Sequence, residues 1–251
     1  MITPVTIRNT TFCEGIPKIC IPIVAQTTEK IIAEAKNLSE YNYDVVEWRM
    51  DFFEDVMSPH KVVDVLKDLR GVIGDKLLLA TFRTAKEGGE KSIDINYYKE
   101  LNILAAQSGY ADMIDIELFT GDDIVKDMVS EIHNAGAFIV MSNHDFHKTP
   151  SREVIVERLR TMQALGADLA KIAVMPNSSE DVLTLLSATN EMNTIHADKP
   201  VITMAMGKLG LISRLSGAVF GSAMTFGAAG KASAPGQIDA RELENILKVI
   251  G

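Results

Sequence analysis

The sequence has few cysteine and aromatic residues and contains no long apolar segment. Its 251 residues include two cysteines, Cys13 and Cys20, and one tryptophan. Two cysteines cannot provide the disulfide framework of a small secreted domain, so we expect free thiols in a reducing compartment. No segment approaches the ~18 apolar residues of a membrane-spanning helix or has the form of a secretory signal peptide. The sequence therefore predicts a cytoplasmic protein that has no membrane partner.

The chain also lacks the charge and the motifs of several functional classes. Its formal net charge is −9, from 25 basic and 34 acidic residues, which argues against a nucleic-acid-binding surface. It has no GxGxxG nucleotide fingerprint and no Cys/His spacing typical of a zinc site. The sequence thus predicts no nucleotide cofactor, no metal ion and no nucleic-acid partner, and an anionic substrate would need its own cluster of arginines.

Short apolar runs alternate with amphipathic helical patterns along the chain. The runs typical of buried strands cover residues 18–24, 44–51, 76–83, 113–118, 138–145, 169–175, 201–207 and 219–227. Helical patterns cover residues 28–38, 58–70, 95–107, 151–165 and 179–192. Eightfold alternation predicts parallel strands covered by helices, and the length is close to the ~250 residues of a (β/α)8 (TIM) barrel. We therefore predict an α/β fold in which residues 1–251 form one barrel domain; an open doubly wound sheet is the alternative.

Polar residues precede several predicted helices and fit helix starts. The candidate N-caps are Ser58, Asp94, Gly121-Asp122, Ser151 and Ser179. At the N-terminus, residues 1–11 contain apolar positions around a polar turn. This pattern predicts a short hairpin that closes the bottom of the barrel.

Charged residues interrupt strands that should be apolar on both faces. Glu47 and Arg49 lie two residues apart in one predicted strand, as do Asp115 and Glu117 in another. Because side chains alternate with period two and helices cover the outside, these charges must face the barrel interior. Unpaired buried ions are costly, so this set predicts an active site at the C-terminal strand ends. The structural alternative is that Glu47, Asp115 and Glu117 only anchor arginines.

A lysine and a histidine in these strands are the candidates for chemistry. Lys171 lies between alanine and isoleucine, where loss of solvation lowers the pKa of an amine. A neutral amine forms Schiff bases with ketones and aldehydes. His144 ends another strand and suits proton transfer near neutral pH. The structural alternatives are a Lys171 paired with an inward carboxylate and a His144 with no role in catalysis.

Arginines and one glycine-rich segment could bind a charged substrate. The arginines that end or follow predicted strands are Arg49, Arg83 and Arg214. A guanidinium group binds a carboxylate at two positions at once. The segment 227–237 has no apolar pattern and would form a lid that brings Ser233 and Gln237 to the substrate. The alternative is a flexible surface loop.

Several segments of the sequence match the motifs of one enzyme family. They are EWRMD (47–51), TFRTAKEGG (81–89), MSNHDF (141–146), AKIAVMP (170–176), TMAMGKLGLISRLSG (203–217) and SAPGQI (233–238). In this order they resemble the type I 3-dehydroquinate dehydratases. The resemblance extends from the first predicted strand to the last helix.

The resemblance implies a cofactor-free enzyme of the shikimate pathway that converts 3-dehydroquinate to 3-dehydroshikimate, and a homodimer. Lys171 would form an imine with the C3 ketone of the substrate, and His144 would act as general base and acid. Glu87 would orient His144, and Arg214 would bind the substrate carboxylate. The other substrate-binding residues implied by the resemblance are Glu47, Arg49, Arg83, Ser233 and Gln237, with Met204 and Met206 as an apolar wall. For the two methionines, packing in the barrel core is the alternative.

Other functions are compatible with the same residue pattern. A Schiff-base aldolase would also use a lysine on the sixth strand and would bind a phosphate near Lys208 and Arg214. A divalent-metal enzyme would use as ligands Glu47, Asp115, Glu117 and His144. A binding protein without catalytic activity is the third alternative.

Overall fold

The computed structural model describes residues 2–230 and 232–251 as a nearly closed barrel of eight parallel strands preceded by a hairpin. The strands are β1 (Val5–Ile7), β2 (Thr10–Phe12), β3 (Lys18–Ile23), β4 (Val45–Arg49), β5 (Leu77–Thr81), β6 (Met113–Glu117), β7 (Phe138–Asp145), β8 (Leu169–Val174), β9 (Val201–Ala205) and β10 (Met224–Phe226). The helices are α1 (Thr28–Asn37), α2 (Pro59–Ile73), α3 (Ile95–Gln107), α4 (Asp122–Asn134), α5 (Arg152–Ala164), α6 (Ser179–Glu191), α7 (Leu211–Leu215), α8 (Gly217–Phe220) and α9 (Ala240–Ile250). None of the helices described here is both long and apolar enough to cross a membrane.

The barrel strands pair in parallel, in the order β10-β3-β4-β5-β6-β7-β8-β9. At least one helix follows each of them, which confirms the predicted (β/α)8 fold. The seam between β9 and β10 is closed by a bridge between Val201 and Ser222 and by a 2.8 Å hydrogen bond from the Ala223 amide to the Val201 carbonyl. The Ser222 hydroxyl also accepts from the Thr203 amide at 3.0 Å. A side-chain hydroxyl thus helps to close the barrel at this seam.

The barrel interior changes from apolar to charged along the strands. Val45 and Leu169, near the starts of β4 and β8, belong to the apolar cluster inside the barrel. Glu47 and Lys171 follow two residues later and therefore share their inward face. Trp48 has the opposite orientation and packs in the core between strands and helices. The charged end of the barrel is thus the C-terminal end, as the sequence predicted.

The N-terminal hairpin closes the other end of the barrel, and this prediction is confirmed. β1 and β2 are antiparallel, with Val5 opposite Phe12. Val5, Ile7 and Phe12 are buried in the apolar cluster at the starts of the barrel strands. An ion pair between Arg8 and Asp112 holds the turn of the hairpin against the barrel. Met1, which the hairpin prediction included, lies outside the described residues.

The prediction for the eighth barrel strand is wrong over its first half. Val219 and Phe220 lie at the end of α8, and the strand is confined to Met224–Phe226. Gly221 separates the two elements with a φ of +96°, a left-handed conformation that terminates a helix and favours glycine. An apolar run alone does not distinguish a short helical turn from a strand.

The helix starts agree with the predicted caps at some positions and differ at others. The side chains of Asp94 and Ser151 accept backbone hydrogen bonds at the starts of α3 and α5, as predicted. The cap of α6 is Ser178 and not Ser179, because Asp181 at the third helical position completes a reciprocal capping box with Ser178. Among the described residues, the side chain of Ser58 has no capping hydrogen bond.

Candidate active site

The C-terminal ends of the barrel strands surround a cavity of about 230 Å³. Its wall contains every residue that the resemblance assigned to catalysis or substrate binding. These are Lys171, His144, Glu87, Glu47, Arg49, Arg83, Arg214, Ser233, Gln237, Met204 and Met206. The remaining wall residues are Gly88, Phe146, Ala173, Phe226, Ala234 and Pro235. Residues spread over most of the chain are therefore brought to one place.

Lys171 projects from β8 and is 4% exposed. Its Nζ lies 3.6 Å from Oε1 of Glu47 and 3.5 Å from Oδ2 of Asp115. The ring centroid of Phe226 is 4.5 Å from the same nitrogen, within cation–π distance. A structural lysine would form the same ion pairs, so the contacts alone do not distinguish the two interpretations. The position of Lys171 on the cavity wall favours the chemical one.

Arg83 joins two buried carboxylates beside the cavity. Its Nη2 donates to Oδ1 of Asp115 at 2.7 Å, and its Nη1 donates to Oε1 of Glu117 at 3.0 Å. The hydroxyl of Ser142 accepts from Nη1 of Arg83 at 2.9 Å and donates to Oδ1 of Asp115 at 2.7 Å. Burial alone would raise the pKa of Asp115, but Arg83 and Lys171 hold it below its ordinary value. Asp115 and Glu117 are thus arranged as anionic anchors of Arg83.

Arg49 is fixed by a fully buried carboxylate. Its Nε and Nη2 donate to Oδ1 and Oδ2 of Asp51, both at 2.8 Å. Asp51 is 0% exposed and also accepts from the backbone amide of Glu90 at 3.0 Å. Glu90 belongs to the loop after β5 that carries Glu87. One carboxylate therefore fixes both the guanidinium group of Arg49 and this loop.

The end of β7 and the loop after β5 bring His144 and Glu87 into contact. Oε2 of Glu87 accepts from the backbone amide of His144 at 2.8 Å and lies 3.0 Å from Nδ1 of its ring. Burial lowers the pKa of His144 well below its ordinary value, and nearby cations, Arg83 first, lower it further. Burial raises the pKa of Glu87 to about 7, although Arg83 opposes this shift. Both shifts disfavour the charged forms of the pair, and because Glu87 contacts Nδ1, Nε2 is the ring nitrogen left for a ligand.

Arg214 is a buried cation with an unused donor. It is 1% exposed, and its Nη2 donates to the carbonyl of Pro235 at 3.1 Å. Its Nε has no hydrogen-bond partner among the residues that the structure describes. Burial lowers the pKa of Arg214 to about 10. Since a buried, incompletely paired guanidinium is costly, this position is suited to an anionic group of a ligand.

The segment 227–237, called the lid below after its predicted role, contributes Ser233, Ala234, Pro235 and Gln237 to the cavity wall; its Lys231 lies outside the described residues. The amide of Ser233 donates to Oε1 of Gln237 at 2.9 Å, and Nε2 of Gln237 donates to the Ser233 hydroxyl at 3.0 Å. The carbonyl of Pro235 accepts from the Gly207 amide at 3.1 Å, which connects the lid to the end of β9. These contacts bring the polar side chains of the lid to the cavity wall.

The sequence left two interpretations open for Met204 and Met206, an apolar wall of the site and packing in the barrel core, and the structure agrees with both. Met204 and Met206 line the cavity and also belong to the apolar cluster inside the barrel. Sδ of Met204 is 3.6 Å from Nη1 of Arg214. Over residues 2–230 and 232–251, no three His, Cys, Asp or Glu side chains come together in a group that could hold a metal ion.

Comparisons with known proteins identify the family. The family model described as type I 3-dehydroquinase matches residues 19–251. The 3-dehydroquinate dehydratase of Clostridioides difficile (strain 630) is 52% identical over 246 residues, which are 98% of this chain and 96% of that protein. The 3-dehydroquinate dehydratase of Salmonella typhimurium is 52% identical, with 98% of each chain covered. The chain belongs to the type I 3-dehydroquinase family.

Solved structures of the family have the same fold. The crystal structure of the Clostridium difficile type I 3-dehydroquinate dehydratase, with covalent modified comenic acid, has a TM-score of 0.96 at 51% identity and covers 99% of this chain and 98% of that chain. The 3-dehydroquinate dehydratase of Enterococcus faecalis has a TM-score of 0.92 at 46% identity, over 98% of this chain and 99% of that chain. The barrel and its hairpin are therefore those of the type I 3-dehydroquinases.

Several residues of this type I 3-dehydroquinase site were not predicted from the sequence. Phe226 contacts Lys171 from β10, and Asp51 fixes Arg49, although EWRMD includes Asp51. Phe226 could have been predicted from the sequence, because the period-two alternation of the last strand turns its side chain towards the barrel interior. Asn143, which donates to Oε1 of Glu87 at 3.0 Å, alternates to the outer face of β7, so the alternation argument gives no reason to place it at the site.

Proposed function

We propose that this chain dehydrates 3-dehydroquinate to 3-dehydroshikimate, a step of the shikimate pathway, through an imine on Lys171. The observation that carries the proposal is the common cavity of Lys171 and His144, which project from the neighbouring strands β8 and β7. Family membership favours this reaction over a sugar-phosphate aldolase and a metal-dependent enzyme. The covalently modified ligand of the Clostridium difficile relative is consistent with a covalent intermediate.

The first step is attack of the Lys171 amine on the C3 ketone of the substrate. A nitrogen–carbon bond forms, the carbonyl oxygen leaves as water, and a protonated imine remains. Glu47 and Asp115, which lie 3.5–3.6 Å from Nζ, stabilise the iminium charge, and the proton that the Lys171 ammonium releases is carried by His144 to the departing oxygen. The ring of Phe226 faces the same nitrogen and favours its cationic form.

The second step is elimination of water across C1 and C2. The iminium group withdraws electrons, so the neighbouring C2 proton becomes acidic. His144 is neutral because its pKa is low, and Nε2 can accept this proton while Glu87 holds Nδ1. The resulting enamine expels the C1 hydroxyl, which takes a proton from His144 and leaves as water. Hydrolysis of the imine then releases the enone and restores Lys171.

The substrate carboxylate is bound by Arg214 in this proposal. Its guanidinium group lines the cavity, and its buried Nε has no partner among the described residues, so an incompletely paired cation would meet the carboxylate there. The ring hydroxyls of the substrate are bound by the polar wall residues Glu47, Arg49, Arg83, Ser233 and Gln237. Met204 and Met206 pack against the apolar edge of the ring. No step in this scheme requires a cofactor.

Borohydride reduction in the presence of 3-dehydroquinate tests the proposal. The expected result is a stable adduct on Lys171, identified by intact mass and peptide mapping, and ultraviolet absorbance of the conjugated enone without borohydride. A folded protein that gives neither the adduct nor the enone contradicts the proposed function. An adduct on Lys171 with release of an aldehyde would assign the chain to the aldolase reaction.

Gly236→Ala is expected to raise KM about tenfold with a smaller effect on kcat. Gly236 has a φ of +82°, and a Cβ atom there would lie 2.4 Å from the Gly207 carbonyl oxygen. The methyl group would displace the lid, and strain of this kind costs about 1–3 kcal/mol. Gly230→Ala is the matched control, because Gly230 has a φ of +89° and open space around it. Equal KM values for the two variants, measured by enone formation, would contradict a role of this contact in binding.

We also propose that residues 1–251 act as one catalytic domain in a cytoplasmic homodimer. The parallel barrel and its hairpin share one interior, which supports a single folding unit. The dimer rests on the family resemblance. Sedimentation equilibrium of the full chain measures it directly, and a monomer mass at micromolar concentration would contradict it.

A further inference from the structure

Asn143 lies behind Glu87, on the side away from the cavity. Its Nδ2 donates to Oε1 of Glu87 at 3.0 Å. Its Oδ1 accepts from Nη1 of Arg158, on α5, at 2.9 Å. The guanidinium carbon of Arg158 lies 5.3 Å from the ring centroid of Phe119, which keeps the arginine over the end of β7. A continuous path of contacts thus runs from Arg158 through Asn143 to the Glu87–His144 pair.

Arg158 determines which way the amide of Asn143 faces. A guanidinium group only donates hydrogen bonds, so the Asn143 oxygen must face Arg158 and the Asn143 NH2 group must face Glu87. The flipped amide would set donor against donor at Arg158 and acceptor against acceptor at Glu87. Asn143 is 4% exposed, so bulk water cannot relieve such a mismatch.

The orientation of Asn143 determines which oxygen of Glu87 can carry a proton. Oε1 accepts an N–H group from Asn143, and because this amide group cannot take up a proton, a proton on Oε1 has no exchange partner there. Oε2 has one N–H donor, the His144 backbone amide, and a second neighbour, Nδ1 of the His144 ring. A proton on Oε2 can therefore be exchanged with Nδ1, while the other lone pair of Oε2 keeps the backbone hydrogen bond.

We propose that Arg158 and Asn143 are positioning residues that confine the exchangeable proton of Glu87 to Oε2, facing His144. This inference rests on the proposed function, because it specifies how His144, the general base of that reaction, is held in the form that accepts a proton at Nε2. Asn143 also stabilises the anionic form of Glu87, since its N–H donates to a carboxylate. With the carboxylate anionic and the imidazole neutral, His144 can accept the C2 proton at Nε2.

Other charged groups also face this pair and set the background for its titration. Nη1 of Arg83, after β5, lies 3.7 Å from Oε2 of Glu87, and Glu117 at the end of β6 acts on Glu87 with the opposite sign. Lys171 on β8 and Arg49 on β4 act on His144 together with Arg83. None of these groups is changed by substitution of Asn143 or Arg158. A shift of the pH profile in these variants therefore reports on the contacts from Arg158 through Asn143 to Glu87.

Asn143→Ala is expected to move the acidic limb of the kcat/KM pH profile upward by about one pH unit. Loss of the donor favours protonated Glu87, so the pair takes up its inactivating proton at higher pH. A hydrogen bond to a charged group is worth about tenfold in an equilibrium constant, which sets the size of the shift. KM and the high-pH plateau change little, because Asn143 is not part of the cavity wall.

Arg158 variants provide the second test and remain useful if Asn143→Ala does not fold. Arg158→Met frees the Asn143 amide to rotate and removes a positive charge, so the limb should move in the same direction. Arg158→Lys keeps a cationic donor and should restore most of the wild-type profile. Arg160→Met is the control, because Arg160 is an exposed arginine on the same helix.

Two outcomes separate this inference from the proposed function. If the wild type gives no borohydride adduct with 3-dehydroquinate, the proposed function fails whatever the variants show. The other outcome is that the wild type forms the adduct while the acidic limbs of the kcat/KM profiles of Asn143→Ala and Arg158→Met coincide with that of the wild type. In that case the positioning role of Arg158 and Asn143 is overturned and the proposed function stands. Lower kcat at every pH without a shift would indicate a purely structural role and would also overturn the inference.

Discussion

Lys171→Met should lower kcat on 3-dehydroquinate by on the order of 10⁴-fold or more and abolish the borohydride adduct. Methionine fills a similar volume but has no amine, so no imine and no electron sink can form. The enone absorbance assay measures the first effect, and intact mass after reduction measures the second. Binding of substrate should be affected much less, because Arg214 and the lid are unchanged.

The same substitution also affects stability. Glu47 and Asp115 lose the cation that lies 3.5–3.6 Å from their carboxylates, so the free energy of unfolding should fall by about 3 kcal/mol. Urea unfolding measures this change and shows whether the variant is folded in the assay. Lys208→Met is the control, since Lys208 is an exposed lysine after β9. An adduct of substrate mass in Lys171→Met would show that another residue is the nucleophile.

His144→Ala should lower kcat by about 10²–10⁴-fold, the usual contribution of a general acid–base residue. The amine of Lys171 is still present, so the imine should form and then persist, because its C2 proton is removed slowly. Rapid mixing followed by intact mass should therefore show an accumulated adduct that the wild type does not accumulate. Glu87 alone cannot replace the imidazole, since its carboxylate is held by Asn143 and the backbone of residue 144.

The control for this variant is His147→Ala, because His147 is exposed and lies in the loop after β7. That variant should retain both the rate and the transient adduct of the wild type. Turnover of His144→Ala within a few-fold of the wild type would remove His144 from the mechanism. Slow turnover without adduct accumulation would shift its main role from C2 deprotonation to imine formation.

The main features of the site follow from strand parity, which can be determined from the sequence. Glu47 and Lys171 interrupt apolar strands, and the period of two requires them to face inward once helices cover the outside. The cavity wall contains both residues. The eighth strand was more difficult, because its apolar run also contains α8, and the boundary depends on the conformation of Gly221.

The supporting contacts could not be predicted in this way. The alternation of β7 places Asn143 on the outer face of the strand, yet the loop after β5 brings Glu87 within hydrogen-bond distance of it. Arg158 is one of several arginines on α5, and its contact with Asn143 depends on how that helix packs against β7. Asp51 follows a strand, where it faces both Arg49 and the amide of Glu90. Such contacts depend on loop paths, which periodicity does not specify.

The seam between β9 and β10 has a consequence for hydrogen exchange. β7 and β8, which carry His144 and Lys171, are aligned over six residue pairs, whereas the seam is joined through the Val201–Ser222 bridge and the Ser222 hydroxyl. Arg214 follows β9 and the lid follows β10, so both of these proposed substrate-binding elements adjoin this weakly joined edge. Amides at the seam should therefore exchange with solvent deuterium well before those of β7 and β8. Opening there would leave Lys171 and His144 in their relative positions, because β7 and β8 stay paired with each other.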